Sequence, residues 1–244
     1  MTVERLAGLV AARQPCVVLT GAGISTESGI PDFRSPSGVW AQYDPMEYAT
    51  IDAFLADPVK VWDFYGKRLD MLASAQPNDG HRALAELERR GFVQAVITQN
   101  IDLLHERAGS RALVEVHGSI RTSSCLDCGT VVPFDEVLPL LPVPHCPTCG
   151  RVLKPDVVMF GELLPEAAIA RATELAAEAQ LLLVVGSSLE VYPVAGLPLE
   201  TLAGGSLAIV NRGPTQFDAR ASVRIDGGAG ETLRALASCL PERP

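Results

Sequence analysis

Six short apolar runs, at 16–20, 93–97, 114–116, 181–186, 206–210 and 223–225, alternate with stretches of helical apolar spacing, and this alternation constrains the fold more than any other feature. Runs such as Cys16-Val17-Val18-Leu19 read as buried parallel strands. Such strands joined by helices make a βαβ series, so the expected fold is α/β, a doubly wound, parallel, Rossmann-like sheet. Helices are expected at 3–13, 58–74, 80–90, 165–179 and 231–239. Asp57-Pro58 supplies an N-cap and a first-turn proline, and Gly91 a stop. At 244 residues, 48% of them hydrophobic, the chain can bury a full core as one large domain, 1–244. Two insertions interrupt the series, a helical one at 35–77 and a second at 120–154. The site is expected in the cleft between the sheet and these insertions.

The first strand runs into Gly21-Ala22-Gly23-Ile24-Ser25-Thr26, and a polar and aromatic loop with Pro31-Asp32-Phe33-Arg34 follows. Gly21 and Gly23 permit a tight turn and the close approach of a pyrophosphate to backbone N–H groups. The dinucleotide fingerprint Gly-x-Gly-x-x-Gly would need glycine where this chain has Thr26, so the glycines alone also fit an ordinary strand-to-helix turn.

Four of the six cysteines form two pairs, Cys125-Leu-Asp-Cys128 and Cys146-Pro-Thr-Cys149, at zinc-ribbon spacing. Each Cys-x-x-Cys knuckle turns two thiolates to one side, and two knuckles complete a closed tetrahedral Zn²⁺ shell with no position left for substrate. One structural zinc is therefore expected, stabilising a module too small for its own core by roughly 10 kcal/mol or more. His145 is not needed as a ligand, and Cys16 and Cys239 read as packing residues or idle thiols.

A formal charge of −9 provides no basic stripe for nucleic acid, and no run reaches the ~18 apolar residues of a membrane span. A cytoplasmic monomer without nucleic-acid or membrane partners is the expectation.

Further along lie Thr98-Gln99-Asn100-Ile101-Asp102, His117-Gly118, Val158-Met159-Phe160-Gly161-Glu162, Gly186-Ser187-Ser188-Leu189 and Val191-Tyr192-Pro193. Taken in this order with residues 21–34, these motifs resemble the sirtuins, the NAD-dependent protein lysine deacylases, over residues 9–236. The resemblance implies that the bond between nicotinamide and ribose is broken and the ribose carbon captured by the acyl-lysine oxygen. A base is then needed for a ribose hydroxyl. His117, at a strand end before Gly118, matches that role; His81 and His105 read as capping or packing residues.

By the same resemblance Asp102 holds the nicotinamide amide with Ile101 beside it, and Gln99 and Asn100 contact the ribose. On position alone, Asn100 and Asp102 would equally cap the short helix after them. Gly21, Ala22, Gly23, Thr26, Gly186, Ser187, Ser188 and Asn211 are expected around phosphates and ribose hydroxyls, and Ala229 near adenine. Phe33 would shield the reactive ribose carbon, and Arg34 would pair with a phosphate or orient neighbouring groups. An acyl-lysine protein substrate would lie extended between Val158, Phe160, Gly161 and Glu162 on one side and Val191 with Tyr192 on the other.

Tyr65 and Arg68 share a helix face with Val61 and Leu72. An arginine in an apolar stripe either snorkels to water or meets an anion. Tyr-x-x-Arg resembles the pair found in desuccinylating and demalonylating sirtuins, which implies such activity beside deacetylation. Mono-ADP-ribosyl transfer to another nucleophile, and a non-catalytic zinc and nucleotide-binding module, are the alternatives.

Overall fold

The structure, a computed structural model, describes residues 2–242. Among the described residues nine strands are formed: β1 (Cys16–Thr20), β2 (Ala95–Thr98), β3 (Leu113–Glu115), β4 (Gly118–Ser124), β5 (Val131–Pro133), β6 (Lys154–Val157), β7 (Leu181–Val185), β8 (Ser206–Val210) and β9 (Val223–Ile225). The large sheet is wholly parallel in the order β3-β2-β1-β7-β8-β9. The chain winds outward from β1 to β3 and then returns to build the other half from β7. The doubly wound α/β expectation is borne out, and the switch point lies between β1 and β7.

Strand periodicity divides the apolar runs between two cores. Val17, Leu19, Leu182, Val184 and Ile209 join Ala172, Leu175 and Ala176 of the helix Glu166–Glu178. Val18, Leu181, Leu183, Val185 and Ala208 join Leu6, Leu84 and Leu233 of the helices Val3–Ala12, Asp79–Arg89 and Ala229–Cys239. Both faces are covered, which explains runs with no polar alternation; each buried Leu or Val stabilises the fold by about 1.5–3 kcal/mol. The second strand begins two residues later than the apolar run, because the N–H groups of Phe92 and Val93 still bond Leu87 O at the end of the preceding helix.

The two insertions share a third core. In the first, the helices Pro45–Tyr48, Ile51–Ala56 and Pro58–Ser74 follow one another, the last capped by the Asp57 side chain at Lys60 N–H, 3.0 Å. In the second, β4, β5 and β6 form an antiparallel sheet in the order β5-β4-β6. Trp62, Phe64 and Leu69 pack with Ile120, Val132, Leu153 and Val157, and the Trp62 indole N–H donates to Leu153 O at 2.6 Å. One small lobe results, standing over the carboxyl edge of the large sheet. Among the described residues no helix is long and apolar enough to cross a membrane.

Candidate active site

The switch point is closed by direct loop-on-loop packing. Gly21 N–H bonds Val185 O at 3.1 Å and Gly23 N–H bonds Gly186 O at 2.8 Å. A Cβ on Gly23 would sit 2.7 Å from Gly186 Cα, and one on Gly186, whose φ is +61°, would sit 2.3 Å from Ile24 N. These glycines therefore provide clearance between two turns as well as a tight bend. Residues Ala22–Ser28 continue as a 3₁₀ helix ended by Gly29 at φ +84°, with the Thr26 hydroxyl donating to Gly23 O.

A cavity of about 1390 Å³ runs from this turn to the small lobe. The cofactor residues expected from the sequence all line it, from Gly21 through Asn100 and Ser188 to Asn211 and Ala229, as do Tyr65, Arg68, Val158, Phe160, Gly161, Glu162 and Val191. Gln99 Nε2 donates to Ser187 Oγ at 3.0 Å, tying the end of β2 to the loop after β7. Asn211 uses its amide group on Arg212 O and Gly213 O. Arg34 pairs with Glu190 at 2.7 Å, and the Phe33 ring packs on Trp40 at 5.1 Å and under the Arg68 guanidinium at 5.2 Å. The loop at 31–41 thus reaches both the nucleotide end and the small lobe.

Ser25, Asn100 and Asp102 in the cavity wall belong to a buried polar network whose links to one another and to His81 the sequence reading did not anticipate. Ser25 Oγ donates to Asp102 Oδ2 at 2.6 Å and accepts from Asn100 Nδ2 at 3.1 Å. His81 Nε2 lies 3.4 Å from the same hydroxyl, while its Nδ1 accepts Asn78 N–H. With the Ser25 hydrogen directed at Asp102, the contact requires His81 to carry its proton on Nε2. Asp102 Oδ1 also accepts Leu104 N–H at 2.9 Å beside the N-cap Leu103, whereas Asn100 turns to Gly21 O and Ser25, so of the two only Asp102 combines a helix-end bond with a place in the cavity wall. Burial pushes the Asp102 carboxyl up, with the Ser25 hydroxyl opposing. Behind it, His105 Nε2 meets Thr20 Oγ1 at 3.0 Å, and Thr20 donates to Thr98. Nothing at isolated positions announces this assembly; the only signal is Asn78 capping a helix three residues before His81.

This network has a pH signature. Burial, aided by the Arg82 charge, pulls His81 down to about 4, and burial, aided by His81, pulls His105 to about 3. Unfolded histidine titrates near pH 6.5, so below about 6.5 the unfolded chain takes up protons that the folded chain refuses. Stability complete above that pH is lost as pH falls toward 4, with a limiting slope on the order of 1.4 kcal/mol per pH unit for each histidine. Asp102 acts in the opposite sense, its folded carboxyl keeping a proton to higher pH than the unfolded one. Urea midpoints at pH 7.5 and 5.5 measure the balance; a midpoint that does not fall would refute histidine dominance.

His117 stands in the turn two residues past the end of β3, half-buried on the cavity wall. Its Nδ1 lies 3.1 Å from Gln99 O. A carbonyl only accepts, so Nδ1 holds the proton and Nε2 keeps its lone pair. Burial lowers the His117 pKa, against a smaller upward effect of the Gln99 carbonyl, so the ring is neutral at neutral pH.

In the small lobe the four thiols gather. Cys125 Sγ lies 3.4 Å from Cys149 Sγ and Cys128 Sγ 3.5 Å from Cys146 Sγ, with all four sulfurs within 4.8 Å. Sulfurs on a tetrahedral zinc at about 2.3 Å stand about 3.8 Å apart, so the set fits one ion. Each knuckle closes alike, Gly129 N–H on Cys125 O and Gly150 N–H on Cys146 O, both glycines at positive φ. His145 Nδ1 bonds Gly150 O and stays outside the set.

Together these features define a nucleotide-binding doubly wound α/β protein with a closed thiolate metal module. The model of the Sir2 family matches residues 21–193. NAD-dependent protein deacylase 2 of Pyrobaculum aerophilum is 49% identical over 232 residues, 95% of this chain and 93% of that one. NAD-dependent protein deacetylase 1 of Geobacillus kaustophilus is 49% identical over 236 residues, 96% of each. A solved structure of Sir2 with a p53 peptide and NAD⁺ superposes with TM-score 0.90 at 40% identity, covering 98% of both chains. The chain belongs to the Sir2 family.

Proposed function

We propose that this chain is an NAD-dependent protein lysine deacylase, transferring the acyl group to ADP-ribose with release of nicotinamide. The observation that carries this reading is the fixed tautomer of His117, a neutral base presenting Nε2 within a cavity that joins a nucleotide turn to the small lobe. Bound NAD supplies an activated glycosidic bond. Asp102 would hold its carboxamide, Gln99 and Asn100 would contact its ribose, His117 Nε2 would accept the ribose hydroxyl proton, and Phe33 would screen the site from water. Cys125, Cys128, Cys146 and Cys149 would fill the shell of a zinc ion, which would have no open position for substrate and would hold the small lobe in place.

A cation, Arg68, lines the same cavity as His117 and Phe160. Arg68 is largely buried over the Phe33 and Phe64 rings and beside Tyr65, and has no ion-pair partner among the described residues. Burial lowers its pKa, with Tyr65 and Tyr43 opposing. A succinyl or malonyl carboxylate would complete it, with the Tyr65 hydroxyl as second donor. Mass spectrometry of acetyl-, succinyl- and malonyl-lysine peptides, with and without NAD, tests both levels. Arg68→Met is expected to lower kcat/KM for the two acidic acyl groups by roughly 10–100-fold and to spare acetyl. Equal losses on all three would remove Arg68 from acyl selection. NAD-dependent ADP-ribosylation without deacylation would replace the main reading.

A further inference from the structure

We propose that Lys154 is a positioning residue for the acyl-peptide, acting through Glu162 to hold the turn that carries Phe160 and Gly161. The proposal rests on the deacylase reading. Lys154 opens β6, and its side chain is turned inward with 6% of the residue exposed. Its ammonium group meets Glu162 Oε2 at 2.9 Å, Val157 O at 2.9 Å and Pro155 O at 3.2 Å. Three donors find three acceptors.

The same Glu162 oxygen accepts Met159 N–H at 2.8 Å, and Glu162 N–H returns to Met159 O at 3.0 Å. Residues 159–162 therefore close a turn twice, once through backbone and once through the carboxylate. Gly161, at φ +90°, occupies its third position, where a left-handed residue is required. Phe160 has both backbone groups engaged, its N–H on Ala49 O and its C=O with Ile51 N–H. The backbone groups of Gly161 bond no other described residue, and Gly161 lines the cavity beside Phe160. An extended peptide adding to this edge would find Gly161 held in register by a carboxylate that is itself held by Lys154.

The Glu162 side chain has a different part from a simple wall contact. Without the ammonium, its carboxylate would face the carbonyls of Val157 and Pro155, acceptor against acceptors, and would turn outward. Met159 N–H would lose its partner and the turn would loosen at Gly161.

Lys154→Met is expected to raise the KM for an acetyl-lysine peptide about tenfold or more, the equivalent of one charge-assisted hydrogen bond, with kcat and the KM for NAD within roughly twofold of wild type. Lys154→Arg, which returns donors to the carboxylate, is expected to restore most of the peptide KM. In a double-mutant cycle, Lys154→Met with Glu162→Gln should cost less than the two single effects combined. Thermal melts and peptide-binding anisotropy accompany the kinetics. A stable Lys154→Met with unchanged peptide affinity would overturn the positioning role, as would equal losses in kcat, NAD KM and peptide KM without rescue by arginine. A wild-type protein that neither binds nor deacylates the peptide would overturn the deacylase reading and this proposal with it.

Discussion

Replacing His117 with alanine is expected to lower kcat/KM for an acyl-lysine peptide by about a thousandfold, within the range for removal of a positioned general base. NAD affinity should change little. The side chain contacts the protein through Gln99 O alone among its hydrogen bonds here, and the glycine turns that would cradle the nucleotide lie on other loops. The wild-type pH profile carries a second mark of this role. Burial lowers the His117 pKa, so the basic form persists below the ordinary histidine value and activity should fall only on the acid side of it. Isothermal titration with NAD, beside initial rates from pH 5 to 8, separates the outcomes. Retained turnover in His117→Ala would remove the base assignment, and lost NAD binding would recast His117 as a structural wall.

Stripping the zinc site should unfold the small lobe and leave the large sheet standing. Cys125 and Cys146 are buried in the core that also holds Trp62, Phe64 and Leu153, whereas the sheet has separate cores on its two faces. Structural zinc contributes on the order of 10 kcal/mol to small modules, more than a lobe of this size can replace by packing. The chain offers an internal reporter: its two tryptophans, Trp40 and Trp62, both belong to this lobe. A chelator, or Cys125→Ser, is expected to shift tryptophan emission to the red and abolish peptide turnover, with most of the far-ultraviolet dichroism kept. Zinc content by atomic absorption should fall from one ion per chain to none. A single transition that removes dichroism and fluorescence together would show that sheet and lobe fold as one unit.

The sheet was legible because runs such as 181–185 have no polar position to place in water, which leaves a twice-covered strand as their outcome. The thiolate cluster was legible because its four ligands are adjacent in pairs. Less could be read where a partner comes from a distant segment. Ser25, Asn78 and His81 are unremarkable singly, and they join Asp102 in one network when the helix Asp79–Arg89 packs beneath the turn after β1. Glu162 stood out in its motif, but its inward pairing with Lys154 needs the end of the second insertion to run beside it. Arg34, expected to pair with a phosphate or orient neighbouring groups, pairs with Glu190 on the loop after β7, a partner that depends on loop geometry no spacing encodes.

β3 of the large sheet ends at Glu115 and β4 of the small one begins at Gly118, so His117 stands in the two-residue turn, Val116-His117, that joins the sheets. At Gly118, φ is +70° and a Cβ would lie 2.2 Å from Asp156 O, so the chain changes sheets through a point only glycine can occupy. Val158 N–H bonds His117 O at 2.9 Å from the other side of the same joint. The base is thus mounted on a hinge pin shared by both lobes, and its aim records how they are docked. A lobe displaced by metal loss or by an ill-fitting peptide would swing Nε2 out of line, so proton removal becomes conditional on correct assembly of the whole cleft.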